Sequence, residues 1–458
     1  MANQVQTYDL IVGLGRSGMS MARFLNAKGR RVAATDISPS RTAEAEALNA
    51  LGITTQIGSH DQDLFNRAAT IIPSPGVPLT LACIREAAAK GVPVRGELDI
   101  FSQYNTTPVI AITGTNGKTT TTTLAGQMAE ASGLSCFVGG NIGTPLVDYL
   151  AGDNPVDLVV AEISSYQLDL ARTFKPDVGV LLNISEDHLD RYPDFQAYTA
   201  SKWHIFANQG PGDTAVINRG IKDADNRAAA MAAQVLEFSS TPGAKKGADI
   251  DGHTITIRTG QATETIRTEK IKGLPGPHNR ENIAAAALAV LAAGGTIDGI
   301  RRALAAFAPL PHRMAFVREI NGVRFFNDSK ATNTDAVARA LASFDAEIIL
   351  ILGGREKQTD FTRLIPEVKP RVKQIMAIGE SRDNIIKTFE KTCRVIPCTS
   401  MAQAVKGAMD AGVSGDVVLL SPACASFDMY DNYEARGADF ITRVTQLSQG
   451  KEAAHGNA

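Results

Sequence analysis

The sequence predicts an α/β protein of three domains, each organised around a largely parallel sheet. Three observations carry that prediction. Apolar runs of strand length, among them Ile110-Ala111-Ile112, Leu158-Val159-Val160-Ala161 and Ile348-Ile349-Leu350-Ile351-Leu352, are continuous rather than alternating, as strands buried on both faces require. Segments of helical pattern separate them. Polar or glycine-rich loops follow the runs, which is where open α/β sheets place ligands. A length of 458 residues suits about three domains of ordinary size.

The first region, residues 1–96, opens with the short strand Asp9-Leu10-Ile11-Val12, then Gly13-Leu14-Gly15-Arg16-Ser17-Gly18 and a helix to about Lys28. A second strand ends at Asp36, 18 residues beyond Gly18. Glycines in such a turn let backbone N–H groups approach a pyrophosphate, and an acidic residue at that distance meets a ribose hydroxyl, so this domain is Rossmann-like. A later strand ends Ile71-Ile72 and runs into Pro73-Ser74-Pro75-Gly76. The fingerprint reads only a pyrophosphate and a ribose, so NAD and a UDP-sugar both fit it. Nothing downstream offers hydride-transfer chemistry.

The central region, 97–308, holds Ile110-Ala111-Ile112-Thr113-Gly114-Thr115-Asn116-Gly117-Lys118-Thr119-Thr120: a strand, a curled loop and a helix start. Backbone N–H groups freed by Gly114 and Gly117, the Lys118 charge and the Thr119 hydroxyl together suit a nucleotide phosphate with Mg²⁺. The strict pattern wants glycine where the chain has Ile112, so the loop is a shorter variant. The sheet is therefore of P-loop ATPase type. Glu162-Ile163-Ser164-Ser165 and Asn183-Ile184-Ser185-Glu186-Asp187-His188 follow two further strands, and a carboxylate with an imidazole at adjacent strand ends suits Mg²⁺; a capping role for His188 is the competing reading. Lys202, in Ser201-Lys202-Trp203, reads as solvated from pattern alone. Residues 250–271 alternate apolar and polar around Asp251-Gly252, predicting a small antiparallel hairpin at the edge. Asn279 and Asn282 open an alanine-rich helix one turn apart, as caps or as purine-reading amides.

Leu310-Pro311-His312-Arg313 marks the joint to the last region, 309–458. Strand-end loops follow at Asn327-Asp328-Ser329-Lys330-Ala331-Thr332-Asn333, Gly353-Gly354-Arg355-Glu356-Lys357 and Ser421-Pro422-Ala423-Cys424-Ala425-Ser426-Phe427-Asp428. Their Lys, Ser and Thr residues predict a second Rossmann-like unit whose rim faces an anionic ligand. The tail 450–458 reads as disordered.

A net charge of −2 gives no electrostatic case for nucleic acid or an anionic membrane, so anionic substrates need local positive clusters. Neither an export signal nor a membrane-length apolar run is visible. Five scattered cysteines without metal spacing suit reduced thiols in the cytoplasm, and Cys424 reads as packing rather than as a nucleophile.

Taken in order, the loop motifs at 114–119, 162–165, 183–188, 278–279, 310–313 and 327–333 resemble those of the Mur ligase family, over essentially the whole chain. The first and last loops look most like those of the members that add D-glutamate, and the Asp-Asn-Pro-Arg motif of the diaminopimelate- or lysine-adding members is absent. The resemblance implies ATP-driven amide formation in peptidoglycan precursor synthesis, with ATP and Mg²⁺, and UDP-N-acetylmuramoyl-L-alanine and D-glutamate as substrates of a monomer. It carries over Gly114, Thr115, Asn116, Gly117, Lys118, Thr119 and Thr120 to the ATP loop, and Asn279 and Asn282 to adenine. Arg313 goes to the γ-phosphate, with Asp328 and Lys330 also at the nucleotide. Thr119, Glu162, His188 and a carbamylated Lys202 match the metal site; Lys118, His188, Lys202 and Arg313 are the catalytic set. Arg16, Ser17, Asp36, Ser74, Gly76, Asn141 and His188 match the UDP end, and Thr332, Lys357, Ser426 and Phe427 the D-glutamate pocket. Arg355-Glu356 and Phe427 depart from the pattern. The alternatives are another Mur ligase with a different amino acid, an NAD-dependent oxidoreductase, or a P-loop switch without chemistry of its own.

Overall fold

The structure, a computed structural model, describes residues 7–455 apart from 153, 188–190, 242, 245, 261, 270, 272, 357 and 358, with the backbone alone over 448–455. Three sheets follow one another along the chain. The first holds β1 (Tyr8–Val12), β2 (Val32–Asp36), β3 (Thr54–Ile57) and β4 (Ala68–Pro73), all parallel, in the order β3-β2-β1-β4. The order reverses between β1 and β4, which opens a crevice beyond their C-terminal ends, where the 13–18 and 73–76 loops lie.

The central sheet contains β5 (Val109–Thr113), β6 (Cys136–Gly140), β7 (Leu158–Glu162), β8 (Val178–Leu181), β9 (Thr214–Asn218), β10 (Gln234–Ser239), β11 (Gly247–Asp251), β12 (Thr254–Thr259) and β13 (Ala262–Arg267). Its order is β13-β12-β11-β10-β9-β8-β5-β7-β6. β5 is buried at every residue, pairing in parallel with β7 (Ile112 opposite Glu162) and with β8 (Thr113 opposite Leu181). Those two registers bring the loops after β5, β7 and β8 to one edge. The helix Pro277–Ala292 is buried on nearly every side from Ile283 to Val290; the small alanine side chains let it lie close against the sheet.

The third sheet comprises β14 (Ala315–Ile320), β15 (Val323–Asn327), β16 (Ile348–Gly353), β17 (Val372–Ile378), β18 (Arg394–Pro397) and β19 (Val417–Leu420), in the order β14-β15-β19-β16-β17-β18. All pairs are parallel except β14 with β15. Separate apolar clusters cover its two faces.

Three expectations change. The edge hairpin is a meander of three strands, β11 to β13, continuous with the central sheet through β10; Gly260, at φ +70°, makes a second turn beyond Asp251-Gly252. The last helix runs Tyr433–His455, through Lys451-Glu452-Ala453-Ala454, all strong helix formers, so the expected tail is helical as far as 455, and 456–458 lie outside the described residues. Lys202 is 1% exposed rather than solvated. Cys424 is buried, and burial pushes its thiol up to about 12, as a packing residue requires. No described helix is long and apolar enough to cross a membrane.

Leu350 is fully buried in β16, between β17 and β19. Leu350→Ala should cost about 3 kcal/mol through lost burial and the cavity left behind, read as a lowered urea midpoint of the transition that reports the third sheet.

Candidate active site

The site starts from the loop after β5. Gly117 caps the helix Lys118–Ala131 at φ +86°, and a Cβ there would collide with the Asn282 side chain, so only glycine lets the loop pass. Thr115 and Asn116 are stapled to the loop after β8. Asn116 N–H donates to Asn183 Oδ1 (2.9 Å), Asn183 Nδ2 donates to Asn116 O (3.0 Å), and Ser185 N–H donates to Thr115 Oγ1 (3.0 Å). Ile112 needs no glycine because the strand continues through it, fully buried, and the curl begins only at Gly114.

Two amines converge on this loop. Lys118 Nζ donates to the carbonyls of Gly114 and Thr115, both at 2.8 Å, and Lys202 Nζ donates to the same Gly114 carbonyl at 2.9 Å. Lys202 comes from the helix Phe195–Trp203, which Asp194 caps through Ala197 N–H (2.7 Å), and its ammonium sits 4.7 Å from the centre of the Tyr198 ring. Burial lowers the pKa of both, Lys202 well below the ordinary value, and the neighbouring Lys118 charge depresses it further.

Glu162 ends β7, 2% exposed. Its Oε2 accepts from Thr119 Oγ1 and its Oε1 from Asn141 Nδ2, each at 2.7 Å. Thr119 and Glu162 are in contact, and Lys202 lines the same cavity. These hard oxygen donors fit a small divalent cation such as Mg²⁺, and a carbamate on Lys202 would add another. His188 lies outside the described residues.

A second group surrounds the start of the helix Pro277–Ala292. Asn279 and Asn282 are buried, with Asn282 Nδ2 donating to Asn279 Oδ1 (3.1 Å) and Asn279 Nδ2 to Pro275 O (2.6 Å); the helix cap itself is Gly276. They face a cavity lined also by Leu274, Phe307, Leu310 and Met314, and from the third domain by Asp328, Lys330 and Ala336. An apolar slot with amides at its edge suits a flat heteroaromatic base. Arg313 lines both this slot and the reaction cavity, held between His312 (φ +60°) and Met314 (φ +48°), two strained positions that aim it inward. Asp328 is buried; it accepts from Ser421 Oγ (3.0 Å) and Met314 N–H (3.2 Å), and burial raises its carboxyl to about 7.

The reaction cavity, about 490 Å³, is lined by Lys118, Thr119, Asn141, Glu162, Lys202, Arg313, Lys330, Thr332, Ser426 and Phe427. Lys330 Nζ lies 3.9 Å from the centre of the Tyr433 ring, and burial brings its amine down to about 8. Lys357 lies outside the described residues. The departures beside it turn away from the cavity: Arg355 pairs with Glu380 (3.0 Å) and Glu356 accepts from Asn384 (2.8 Å), while Arg355 N–H donates to Ala425 O (2.9 Å). Phe427 is 60% exposed.

The first domain contributes a separate cavity of about 430 Å³, lined by Gly13, Arg16, Ser17, Ser74, Gly76 and Gly143, with Asn141 shared by both cavities. Gly18 must be glycine, because a Cβ would strike the Gly13 carbonyl. Ser74 Oγ donates to Gly13 O (2.8 Å) and Arg16 to Gly143 O (2.6 Å). Asp36 is not among the residues lining this cavity; its oxygens accept from Leu14 N–H (2.7 Å) and Ser38 N–H (2.8 Å).

The residue pattern had not singled out Ser164, Gln167, Tyr198, Asn333, Asp335 or Tyr433. Asn116 Nδ2 donates to Asp335 Oδ2 (2.7 Å), and Asn333 Nδ2 donates to Asp187 Oδ2 (2.9 Å), joining the phosphate loop and the loop after β8 to the third domain. Asn333 also caps the helix Thr334–Leu341, so the polar helix start was readable, but not its partner across the domain boundary.

Three family descriptions match: the N-terminal domain of MurD-like Mur ligases over residues 7–96, the Mur ligase middle domain over 112–290, and the Mur ligase glutamate ligase domain over 312–424. A protein of Desulfosudis oleivorans named UDP-N-acetylmuramoylalanine–D-glutamate ligase is 43% identical over 447 residues, 97% of each chain. A protein of the same name from Pelotomaculum thermopropionicum is 40% identical over 96% of this chain and 98% of its own. Among solved structures, a pseudomurein peptide ligase type C from Methanothermus fervidus aligns over 96% of this chain and all of its own (TM-score 0.62, 19% identity). The MurF ligase of Thermotoga maritima in complex with ADP aligns over 98% of each (TM-score 0.58, 17% identity), a likeness of fold.

Gly117→Ala should weaken binding of a fluorescent adenine nucleotide by at least about tenfold, because a Cβ at positive φ must displace Asn282. Titration of the purified variant checks this, with the far-UV circular dichroism spectrum unchanged.

Proposed function

The chain belongs to the Mur ligase family, and on that premise we propose that it is an ATP-dependent ligase joining D-glutamate to UDP-N-acetylmuramoyl-L-alanine in peptidoglycan precursor synthesis. The supporting observation is one cavity that residues of two domains share, Lys118, Thr119 and Asn141 of the central domain with Thr332 and Ser426 of the third, while Asn141 also lines the first-domain cavity.

The chemistry follows from charge. An alanyl carboxylate and a γ-phosphate repel each other, so attack of the carboxylate oxygen on phosphorus needs fixed positive charge at both. Lys118 of the phosphate loop and Arg313 and Lys330 of the third domain line this cavity together. Attack forms the new O–P bond and releases ADP, leaving an acyl phosphate. The D-glutamate amine then adds to the acyl carbon, and the tetrahedral adduct expels inorganic phosphate as the amide forms. Mg²⁺ held at Thr119, Glu162 and His188 would offset charge on the β- and γ-phosphates. Lys202 fits carbamylation: burial lowers its amine well below the ordinary value, which favours the uncharged form that attacks CO₂, and the carbamate would add oxygen donors to the cavity that Glu162 also lines. Asn279 and Asn282 take the adenine edge. Arg16, Ser17, Ser74, Gly76 and Asn141 take the UDP portion, while Thr332, Lys357, Ser426 and Phe427 receive D-glutamate. Asp36 serves that UDP site indirectly, by holding the Leu14 amide in the glycine turn. Action as a monomer in the cytoplasm is part of this proposal, supported by one chain supplying the described walls of the cavity and by the use of ATP.

Phosphate release from ATP should require UDP-N-acetylmuramoyl-L-alanine and D-glutamate together, and Lys118→Ala should reduce it by a factor on the order of 10³ or more. Equal release with L-alanine or meso-diaminopimelate in place of D-glutamate would reject the assignment.

A further inference from the structure

Glu97 begins the helix Glu97–Tyr104, which carries the chain from the first sheet into the central one, and it is 5% exposed. Its carboxylate faces two walls. Oε1 accepts Leu146 N–H (3.1 Å), where the helix Leu146–Ala151 leaves the 141–145 loop, and Oε2 accepts from Gln167 Nε2 (3.2 Å). The Gln167 amide is oriented from its other end, since its Oε1 accepts both Ser164 N–H (3.0 Å) and Ser164 Oγ–H (2.9 Å). With that oxygen committed, Nε2 needs an acceptor, and Glu97 supplies it. Gln167 lines the first-domain cavity, Ser164 lines the reaction cavity, and Asn141 lines both. The catalytic steps above make no use of Glu97.

We propose that Glu97 is a positioning residue for the nucleotide-sugar substrate: by holding the Gln167 amide and the 141–145 loop, it fixes the wall along which the substrate reaches from one cavity into the other. This rests on the reading of the first cavity as the UDP site. Two features support it. A buried carboxylate that spans two elements costs desolvation, which its amide donors offset only if both walls stay in register. Burial raises the Glu97 carboxyl to about 7, the bonds from Gln167 and Leu146 pull it back, and Asp148 on the neighbouring helix, itself bonded to Ser20 Oγ (3.0 Å), opposes its ionisation. From the helix Ser165–Leu168 the facing group is the uncharged Gln167. The ionised form accepts from every donor around it, whereas the protonated form turns one oxygen into a donor. Substrate positioning therefore weakens as pH falls through about 7.

The test is steady-state kinetics of the full chain with all three substrates, from about pH 6 to about pH 9, either side of the Glu97 titration. Glu97→Gln should raise KM for UDP-N-acetylmuramoyl-L-alanine about tenfold above pH ~7, the loss of roughly one charge-assisted hydrogen bond. KM for ATP and for D-glutamate should stay unchanged, and the wild-type rise in the UDP-substrate KM at lower pH should vanish. Gln167→Leu, which leaves the Leu146 bond in place, should give the same selective rise and decides the matter if Glu97→Gln does not fold. An unchanged UDP-substrate KM, a parallel rise in all three KM values with a lowered unfolding temperature, or a pH dependence that survives in Glu97→Gln would overturn the role. Wild-type enzyme that does not saturate with the UDP-linked substrate would overturn the functional reading, and this role with it.

Discussion

Two lysines end on one carbonyl. The Gly114 oxygen accepts from Lys118 and from Lys202, and no ordinary turn gathers two amines there at the cost of their desolvation. The surroundings make it tolerable. β5 holds the loop rigid between β7 and β8, Asn183 and Ser185 tie down its far side, and Glu162 places a carboxylate nearby. With Arg313 and Lys330 lining the same cavity, positive charge collects where a polyphosphate and a carboxylate have to meet. A polyanion bound there would restore the charge that burial suppresses, so ligand binding and lysine protonation are coupled.

The loop also ties the domains together. Asn116 uses its backbone N–H on Asn183 and its side chain on Asp335, so one residue spans the phosphate loop and the third domain. Arg363 and Glu186 form a bidentate pair across the same boundary (2.8 and 3.0 Å). The loops of the third domain and the phosphate loop of the central domain therefore share a frame set by polar contacts. Such contacts can be exchanged more readily than an apolar core when substrates enter and leave.

What could be read from the sequence follows from the range of the forces involved. The strands around β5 and the glycine turns were legible because apolar runs and left-handed backbone are local properties. The loop at 114–119 carries its chemistry in consecutive residues. Lys202 was not legible from pattern: its neighbours in the helix Phe195–Trp203 form no clear apolar stripe, and its burial arises from packing under a loop 88 residues earlier. Asp335 and Asn333 face partners more than 140 residues away. Asp36 is the acid beyond the glycine turn, and its bond to the Leu14 amide is a partner that pattern alone does not show. The meander was read one strand short because Gly260 is a weaker turn signal than Asp251-Gly252. Resemblance to a family supplied a reading that local pattern could not, above all the carbamylation proposed for Lys202.

Everything in the proposed chemistry depends on the substrate carboxylate becoming the nucleophile at phosphorus inside one cavity. Turnover of UDP-N-acetylmuramoyl-L-alanine labelled with oxygen-18 in its carboxylate, followed by mass spectrometry of the phosphate released, tests that directly. The account predicts one labelled oxygen in the phosphate per amide formed. Phosphate free of label, with amide formed at the usual rate, would contradict it.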